Sequence, residues 1–391
     1  MIYFDFNNNC TGCEACGDVC PQECISFFED RDGFLMPHVD VSKCINCHKC
    51  ERICPAINNV AHEYIGRKCY VAYNKDEHIR YLGSSGSIFY SLAESIIRKG
   101  GVVYASELGS DLQLRHTRAT SIGGVVRQMK SKYIQSNIAG CYKRILSDLN
   151  ALKDVLFVGT PCQCKALHNL VPEKLRGQLL IVDFVCHGVP SQSLFNKSIS
   201  HFEEENSCVV NYFSFREKSS DSLRNYKIEF TTNDGKIHSQ VGMPEDWPFY
   251  FGYFYHYIQR NSCFNCKMRG INRDSDITLG DFWGIDNLIA NFNDVSKGYS
   301  MLVTNSLKGQ ISLGKLDNCQ LVEVEKGLEY CLERNNAYAK KDKKRVMRSL
   351  FFWLLRHKGY GSCEKHFLTN STSLLDKSWK KIIHLYDEIV S

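Results

Sequence analysis

Eight cysteines between Cys10 and Pro55 have the spacing and the chemistry to bind iron–sulfur clusters. They form two matched runs of spacing C-x2-C-x2-C-x3-C, each followed directly by proline: Cys10, Cys13, Cys16, Cys20 and Pro21, then Cys44, Cys47, Cys50, Cys54 and Pro55. In such a run a tight loop presents three thiolates to one [4Fe-4S] cluster, and the fourth cysteine reaches the other cluster. The spacing therefore assigns two ligand sets: Cys10, Cys13, Cys16 and Cys54 for one cluster, and Cys44, Cys47, Cys50 and Cys20 for the second.

Zinc binding and disulfide bonding are the alternative interpretations of these cysteines. Structural zinc sites usually pair two C-x2-C knuckles, and disulfides form in oxidising compartments. Two matched runs of four fit the iron–sulfur interpretation better. Cys24 falls outside the pattern and is predicted to be a packing residue. The segment resembles bacterial-type dicluster ferredoxins, and we assign residues 1–62 to an α+β ferredoxin-like dicluster domain.

A second group of cysteines lies far from the first. Cys263 and Cys266 form a C-x2-C knuckle, and Cys162 and Cys186 each lie just after a predicted buried strand. Four such thiolates could hold a third cluster. A lone C-x2-C knuckle in a cytosolic protein could equally bind zinc or carry out thiol redox chemistry. Spacing alone leaves these alternatives open.

From residue 68 the apolar pattern predicts alternating strands and helices. The predicted strands are residues 69–73, 102–105, 155–158 and 179–185, and the predicted helices are residues 87–99, 140–152, 163–170 and 191–204. The run at 155–158 is wholly apolar, as expected for a strand buried on both faces, and the alternation of strands with helices favours a mainly parallel α/β sheet. Small-residue loops at 83–87, 159–163 and 186–191 join strands to helices, where such sheets bind ligands. None of them is a GxGxxG or Walker A loop.

The later part of the chain changes character. Residues 212–216 and 226–232 alternate in polarity beside an Asn-Asp-Gly turn, which predicts antiparallel strands added to the α/β unit. Residues 243–257 are rich in aromatic side chains, and a packed aromatic wall is favoured over a stacking platform for a ligand. Residues 340–358 predict a basic amphipathic helix. We expect it to bury its apolar face on the body rather than dock on a membrane surface or an acidic partner.

Composition limits the class of protein. Twenty cysteines, without a signal peptide or an apolar run long enough to span a membrane, predict a protein of the reducing cytoplasm. A net charge of +5 is mild and does not imply nucleic-acid binding. The length of 391 residues predicts several domains. After residue 62 we place two parts of one α/β domain at 68–150 and 151–320, and a helical C-terminal extension at 321–391.

Five further motifs carry a resemblance to a known family. They are Ser-Lys-Tyr-Ile-Gln-Ser at 131–136, Leu-Phe-Val-Gly-Thr-Pro-Cys-Gln at 156–163, Asp-Phe-Val-Cys-His-Gly-Val-Pro-Ser at 183–191, Cys-Phe-Asn-Cys at 263–266 and Asp-Ile-Thr-Leu-Gly-Asp-Phe-Trp-Gly at 276–284. In this order they resemble the beta subunits of coenzyme F420 (deazaflavin) hydrogenases and dehydrogenases, a family that includes plant hydroxymethyl-chlorophyll reductases. The resemblance implies an α/β flavin-binding domain that carries FAD beside a [4Fe-4S] cluster.

The resemblance also implies site residues. Those implied for the flavin pocket are Ser85, Gly86, Lys132, Tyr133, Ser136, Gly159, Thr160, Pro161, Gln163, His187 and Gly188. It favours Cys162, Cys186, Cys263 and Cys266 as ligands of a third cluster. His187 and Lys132 are the candidate catalytic acids; the alternatives are a structural hydrogen bond for His187 and a solvated charge for Lys132. Two departures from the family pattern are Ser87, in place of glycine, and Cys164, in place of an aliphatic residue.

The leading hypothesis is an iron–sulfur flavoprotein oxidoreductase. Clusters carry single electrons and flavins handle one or two, so clusters and FAD together could reduce or oxidise a small organic substrate or a deazaflavin coenzyme. The expected partners are a redox partner, either a ferredoxin-type carrier or the deazaflavin, and a small-molecule substrate, and a homo-oligomer is compatible with the sequence. The alternative is a non-catalytic electron-transfer subunit that docks on a separate enzyme.

Overall fold

The computed structural model describes residues 2, 9–60, 63–218, 226–242, 247–283, 285, 297–335 and 347–368. Its first module consists of two similar halves. Helices α1 (Ala15–Val19) and α2 (Lys49–Ile53) each follow a residue with left-handed backbone geometry, Glu14 at φ 58° and His48 at φ 56°. Each helix ends at the fourth cysteine of its run. Strands β1 (Ile25–Glu29) and β2 (Leu35–Val39) form an antiparallel hairpin between them.

A mixed eight-stranded sheet forms the body of the protein. Its strands are β3 (Cys69–Asn74), β4 (Val102–Leu108), β5 (Leu114–Ala119), β6 (Val155–Val158), β7 (Leu179–Phe184), β11 (Ile277–Asp281), β12 (Ser300–Thr304) and β13 (Cys319–Glu323), in the order β13-β3-β12-β11-β7-β6-β4-β5. Parallel pairing is confined to β4, β6, β7 and β11, and the other neighbours are antiparallel. The prediction of a mainly parallel sheet is therefore wrong. The β4–β5 connection, for example, is too short for a parallel crossover.

Helices pack on both faces of this sheet. They are α3 (Glu77–Leu82), α4 (Ile88–Ile97), α5 (Ile122–Gln128), α6 (Cys141–Asn150), α7 (Pro161–Leu170), α10 (Leu307–Leu313) and α11 (Gly327–Arg334). Helix α8 (Gln192–Asn206) instead buries Leu194, Phe195 and Ile199 in a separate, aromatic core. Alternate residues of one strand enter different cores: Val155 and Phe157 pack with α6 and α7, whereas Leu156 packs with α4 and α5. This alternation explains why β6 is apolar throughout.

The predicted antiparallel strands form a sheet of their own. Strands β8 (Val210–Glu217), β9 (Tyr226–Thr232) and β10 (Ile237–Gly242) pair in the order β10-β9-β8, separate from the large sheet. They pack with helices α9 (Pro248–Phe254) and α12 (Met347–Cys363) in an aromatic core. Because Phe351 and Phe352 are buried there, the prediction that α12 buries its apolar face is confirmed. Residues 243–246 and 340–346 of the two predicted segments lie outside the described residues.

The large sheet takes strands from both parts of the α/β domain drawn from the sequence and extends past the limit at residue 320. Strand β3 pairs with both β12 and β13, so residues 68–150 and 151–320 share one sheet. The limit at residue 320 falls inside β13, and the segment after it therefore begins with a strand rather than a helix. In the described parts of the chain, no helix is long and apolar enough to cross a membrane.

Hydrogen bonds attach the first module to the body. The Glu14 carboxylate accepts the Ile138 backbone N–H at 3.2 Å. The Asp18 carboxylate accepts the N–H groups of Gly140 and Tyr142, at 2.7 and 2.9 Å, at the start of α6. Carboxylates suit this place because the N-terminus of a helix carries free N–H groups and a partial positive charge. The cluster module is thus fixed on the face of the sheet that α6 and α7 cover.

Candidate functional site

The first predicted ligand set is buried where the module meets the body. Cys10, Cys13, Cys16 and Cys54 are all buried, and the thiols of the other three act electrostatically on Cys13. Burial raises the pKa of the Cys13 thiol well above its ordinary value. A metal overcomes this cost because it binds the thiolate directly. The structure therefore brings together the four cysteines that the crossed ligand pattern predicts.

The second predicted set lies nearer the surface. Cys20, Cys44, Cys47 and Cys50 line one small cavity, together with Cys24. Cys44, Cys47 and Cys50 are half-buried. Cys24, predicted to be a packing residue, is indeed buried, but its sulfur lies 3.4 Å from that of Cys20. A fifth thiol therefore stands beside the four predicted ligands of the outer cluster.

The third predicted set comes from three loops of the body. Cys162 lies in the first turn of α7, just after β6, Cys186 follows β7, and Cys263 and Cys266 follow α9. The thiol of Cys162 is influenced electrostatically by those of Cys266 and Cys186, and that of Cys263 by those of Cys186, Cys266 and Cys162. The fold thus gathers four cysteines from three distant parts of the sequence.

Backbone contacts hold the loops of this third set together. The Arg260 N–H donates to the Val189 carbonyl at 2.9 Å, and Pro190 forms a bridge with Gln259. Gly188 has a positive φ of 97°, and an added Cβ would lie 2.9 Å from the Gln259 side chain and 3.1 Å from the Cys263 Cβ. Only glycine fits this turn without strain. The loop of Cys186 can therefore approach the knuckle of Cys263 and Cys266.

In the described part of the chain, no three His, Cys, Asp or Glu side chains are arranged around a single point as the ligands of one metal ion would be. A [4Fe-4S] cluster makes a different demand on its ligands, because each thiolate binds a different iron of the cluster. A set of four cysteines therefore suits a cluster when its four thiols lie close to one another.

A cavity of about 300 Å³ opens beside the third cysteine set. It lies near the carboxyl ends of the parallel strands β6 and β7, where open α/β sheets bind ligands. Cys162 and Cys186 both contribute to its wall. The residues implied for the flavin pocket also line it, with the exceptions of Gly86 and Pro161: Ser85, Lys132, Tyr133, Ser136, Gly159, Thr160, Gln163, His187 and Gly188.

The two exceptions are each flanked in sequence by residues that line the cavity. Gly86 packs on the sheet, where an added Cβ would lie 2.2 Å from the Ala72 carbonyl oxygen. Pro161 is buried at the first position of α7, where a missing N–H costs nothing. Both residues therefore support the cavity wall without facing its interior.

Lys132, a candidate catalytic acid, is fully engaged with the backbone. Its ammonium group donates to the carbonyl oxygens of Ser106, Gln128 and Met129 at 2.7 to 2.8 Å. An ammonium group has three N–H donors, and all three are used. Burial of this group lowers the pKa of Lys132 to about 7. The structure therefore favours a role in fixing the cavity wall, and it does not support the alternative of a solvated surface charge.

Replacing Lys132 with methionine should weaken the pH dependence of stability. The pKa of Lys132 is about 7 in the folded chain and roughly 10.4 in an unfolded one. Between these values the unfolded chain binds the extra proton, so the free energy of unfolding rises with pH. We expect a smaller rise for Lys132→Met in thermal melts at neutral and alkaline pH. Part of the rise in the free energy of unfolding should remain, because burial also lowers the pKa of Lys218 to about 7. An unchanged rise would mean that folded Lys132 stays charged.

His187, the other candidate acid, is exposed at the cavity. It precedes Gly188 in the loop that carries Cys186. A side chain at this position can reach both solvent and a bound molecule. The geometry is therefore compatible with proton exchange at His187, which stays a prediction.

Sequence reasoning missed His116, a buried histidine of β5 in the cavity wall. Its ring stacks on Phe157 with 5.4 Å between ring centroids. Nε2 lies 3.0 Å from the Val158 carbonyl oxygen and Nδ1 lies 2.9 Å from the Ser136 hydroxyl. Burial lowers the pKa of His116 to about 4, so the ring is neutral at physiological pH. No spacing rule marks a single histidine in a strand, so the sequence offered no signal for it.

An ion pair in the cavity wall was also missed. Arg216 Nη1 lies 2.7 Å from the Asp281 carboxylate. Both residues line the cavity, and so does Trp283. Asp281 and Trp283 belong to the motif at 276–284, so that motif was a usable signal. Arg216 lies in the separate sheet, and only the fold brings it here.

Comparison with known proteins agrees with the two parts of the chain. Residues 9–58 match the 4Fe-4S dicluster domain, and residues 152–328 match the family described as the C terminus of the beta subunit of coenzyme F420 hydrogenase/dehydrogenase. No curated protein matches the chain. Among solved structures it is similar to a chain of the xenon-derivatised F420-reducing [NiFe] hydrogenase complex from Methanosarcina barkeri. The identity is 16%, the TM-score is 0.46, and the match covers 71% of this chain and 92% of that chain. The chain thus matches the 4Fe-4S dicluster domain near its N-terminus and the C-terminal model of the coenzyme F420 hydrogenase/dehydrogenase beta-subunit family over residues 152–328, which confirms the resemblance in its motifs.

Proposed function

We propose that the protein is an iron–sulfur flavoprotein oxidoreductase. Electrons pass between the dicluster module and FAD in the cavity, through a third [4Fe-4S] cluster, to reduce or oxidise a small organic substrate or a deazaflavin coenzyme. The observation that carries this proposal is the position of Cys162. Its thiol is influenced electrostatically by Cys13 of the dicluster module, and its side chain lines the cavity. A cluster on Cys162 would stand between the two redox sites.

The cavity wall suits FAD in its chemistry. The N-terminus of α7 and the adjacent Gly159 line the cavity, and a helix N-terminus favours the phosphate groups of a dinucleotide. Tyr133, Tyr253 and Trp283 supply aromatic surface for a flat ring system. When bound, FAD supplies a centre that exchanges both one and two electrons. The chain's own residues position it and limit the access of water.

The two dicluster sites differ in exposure, which supports an order of electron transfer. The inner set of Cys10, Cys13, Cys16 and Cys54 is buried against the body, whereas Cys44, Cys47 and Cys50 are half-buried. An external carrier can therefore approach the outer cluster more closely than the inner one. We assign the outer cluster to exchange with a ferredoxin-type carrier, and the inner cluster to exchange with the cluster on Cys162.

The alternative is a non-catalytic electron-transfer subunit. In that case the apolar face of the C-terminal helix would serve as the docking surface. The structure argues against this version, because Phe351, Phe352 and Leu355 of α12 are buried in the aromatic core. Isolated chain that reduces a viologen dye at the expense of a substrate, without a partner protein, would exclude the alternative.

The first test is a count of cofactors in protein purified without oxygen. Iron, acid-labile sulfide, zinc and FAD are measured for each chain. The proposal predicts one FAD and about twelve irons, since each cubane holds four. About eight irons with one FAD would leave the third cysteine set as zinc ligands or redox thiols. About eight irons without flavin would contradict the proposal and favour the electron-transfer subunit.

A further inference from the structure

A chain of hydrogen bonds connects His116 to the sulfur of Cys162. Ser136 Oγ lies 2.9 Å from His116 Nδ1 and accepts from Gln163 Nε2 at 3.1 Å. Gln163 Oε1 lies 3.1 Å from Thr160 Oγ1, and Thr160 Oγ1 lies 3.1 Å from Cys162 Sγ. Every member of the chain lines the cavity. The chain therefore runs along the wall between the cavity and the third cysteine set.

The direction of each hydrogen bond follows from its fixed end. The Val158 carbonyl can only accept, so His116 Nε2 carries the proton of the neutral ring and Nδ1 accepts from the Ser136 hydroxyl. The Ser136 oxygen then accepts from the Gln163 amide nitrogen. This fixes the Gln163 amide with its oxygen towards Thr160. Two contacts thus fix which end of Gln163 faces Thr160: the Ser136 oxygen accepts from the amide nitrogen, and the Thr160 backbone N–H donates to Oε1.

The Thr160 hydroxyl can donate its hydrogen bond to either of two acceptors. It has a single proton, and both Gln163 Oε1 and Cys162 Sγ lie 3.1 Å away. Gln163 Oε1 also accepts the Thr160 backbone N–H at 3.0 Å, so it keeps a donor if the hydroxyl turns away. A thiolate is the stronger acceptor of the two because it carries the charge. The hydroxyl can therefore donate to the sulfur of Cys162 without leaving a buried acceptor unpaired.

We propose that Thr160 is a positioning residue that raises the reduction potential of the cluster held by Cys162, and that the His116–Ser136–Gln163 chain keeps its hydroxyl next to the sulfur. The inference rests on the third cluster of the proposed function. Reduction adds one negative charge to a cluster, and a hydrogen bond to a ligand sulfur stabilises that charge. Cys186 receives a backbone donor instead, the Gly188 N–H at 3.4 Å. The Thr160 hydroxyl is thus a side-chain donor that a substitution can remove.

The test is a potentiometric titration of Thr160→Val and Thr160→Ser, followed by electron paramagnetic resonance of the reduced clusters. Valine keeps the branched shape and removes the hydroxyl, so the midpoint potential of the third cluster should fall. We expect about a tenfold change in the ratio of oxidised to reduced cluster, which is 59 mV for a one-electron couple. Serine keeps the hydroxyl and should restore the original potential. The two dicluster potentials serve as internal references and should not move.

The outcomes separate this inference from the proposed function. Absence of a third cluster signal in the unmodified protein would contradict the proposed function itself. A third cluster whose potential is the same in Thr160→Val would overturn the inference and leave the proposed function standing. If the valine variant does not fold, Thr160→Ala removes the same hydroxyl with less bulk and should lower the potential in the same direction. An unchanged potential in the alanine variant would equally overturn the inference.

Discussion

Replacing Cys162 with serine should remove about four of the roughly twelve irons expected for each chain, because one cubane loses a thiolate ligand. On the proposed function, reduction of the FAD proposed for the cavity by an external one-electron donor should then stop, since no cluster would remain between the dicluster module and the cavity. FAD should stay bound, because Cys162 forms only part of the cavity wall. Iron analysis and stopped-flow absorbance of the flavin measure the two effects separately.

Cys164 provides a matched control for this substitution. It lies two residues further along α7 and is buried, with its sulfur 3.5 Å from the Gly159 carbonyl oxygen and 3.4 Å from that of Val182. It points to backbone carbonyls, so Cys164→Ala should keep all the iron and the electron transfer to flavin. Iron loss in Cys164→Ala together with full iron in Cys162→Ser would show that the wrong cysteine of this helix had been assigned.

The same substitution separates the zinc interpretation from the cluster interpretation. If the third set holds zinc, Cys162→Ser should release zinc and leave iron unchanged. If the four cysteines are redox thiols, neither metal should change. Only a cluster predicts that iron and acid-labile sulfide fall together, in equal numbers.

The limits of many strands and helices could be predicted, because short apolar runs mark strands and glycines mark the ends of helices. Strand β6 has the bounds that its four apolar residues predict, and α4, α6 and α7 lie within two residues of their predicted limits. The direction of pairing could not be predicted in the same way. It depends on which strands become neighbours, and β3 pairs with β12 and β13 from the far end of the chain. No periodicity within a single strand encodes that choice.

The site residues also differ in whether local sequence or only the fold reveals them. The cysteine runs were identified because each thiolate loop is continuous in sequence, and the two crossed ligand sets follow from spacing alone. The chain from His116 to Cys162 was not identified, because it depends on β5 lying beside the loop after β6. Lys132 shows a second limit of sequence reasoning. Its motif marked its position, but only the structure shows three carbonyl groups around its ammonium group.

Arg260 joins the inner cluster loop to the body more directly than any motif suggested. It lies three residues before Cys263 and is buried. Its guanidinium group donates to the carbonyl oxygens of Cys10 at 3.2 Å and Leu35 at 2.8 Å, and to the Gln135 side chain at 2.9 Å. Gln135 in turn donates to the carbonyls of the loop at Thr11 and Gly12, at 2.9 Å each. One arginine and one glutamine thus hold the loop between Cys10 and Cys13 against the segment that leads to Cys263.

Replacing Arg260 with methionine should therefore loosen the contact between the inner cluster and the third cysteine set. Methionine keeps much of the apolar stem but leaves the Cys10 and Leu35 carbonyls without their donor. Hydrogen bonds to a charged group are the strong ones, so we expect a loss of roughly 3 kcal/mol in the free energy of unfolding. Iron content should stay the same, because Arg260 is not a ligand, while electron transfer from the dicluster module to the flavin should slow. Denaturation in urea, followed by cluster absorbance, and stopped-flow reduction of the flavin measure the two effects.

Arg356 provides the matched control for this prediction. Its guanidinium group also reaches the dicluster module, 2.7 Å from the Asp32 carboxylate, but its side chain is 32% exposed. An exposed ion pair contributes about 0 to 1 kcal/mol, so Arg356→Met should be close to the unmodified protein in both measurements. If both substitutions lower the free energy of unfolding and slow electron transfer equally, the buried hydrogen bonds of Arg260 have no special role at this contact. A slowed transfer in Arg260→Met alone would mean that the buried hydrogen bonds at Cys10 hold the inner cluster at its working distance from Cys162.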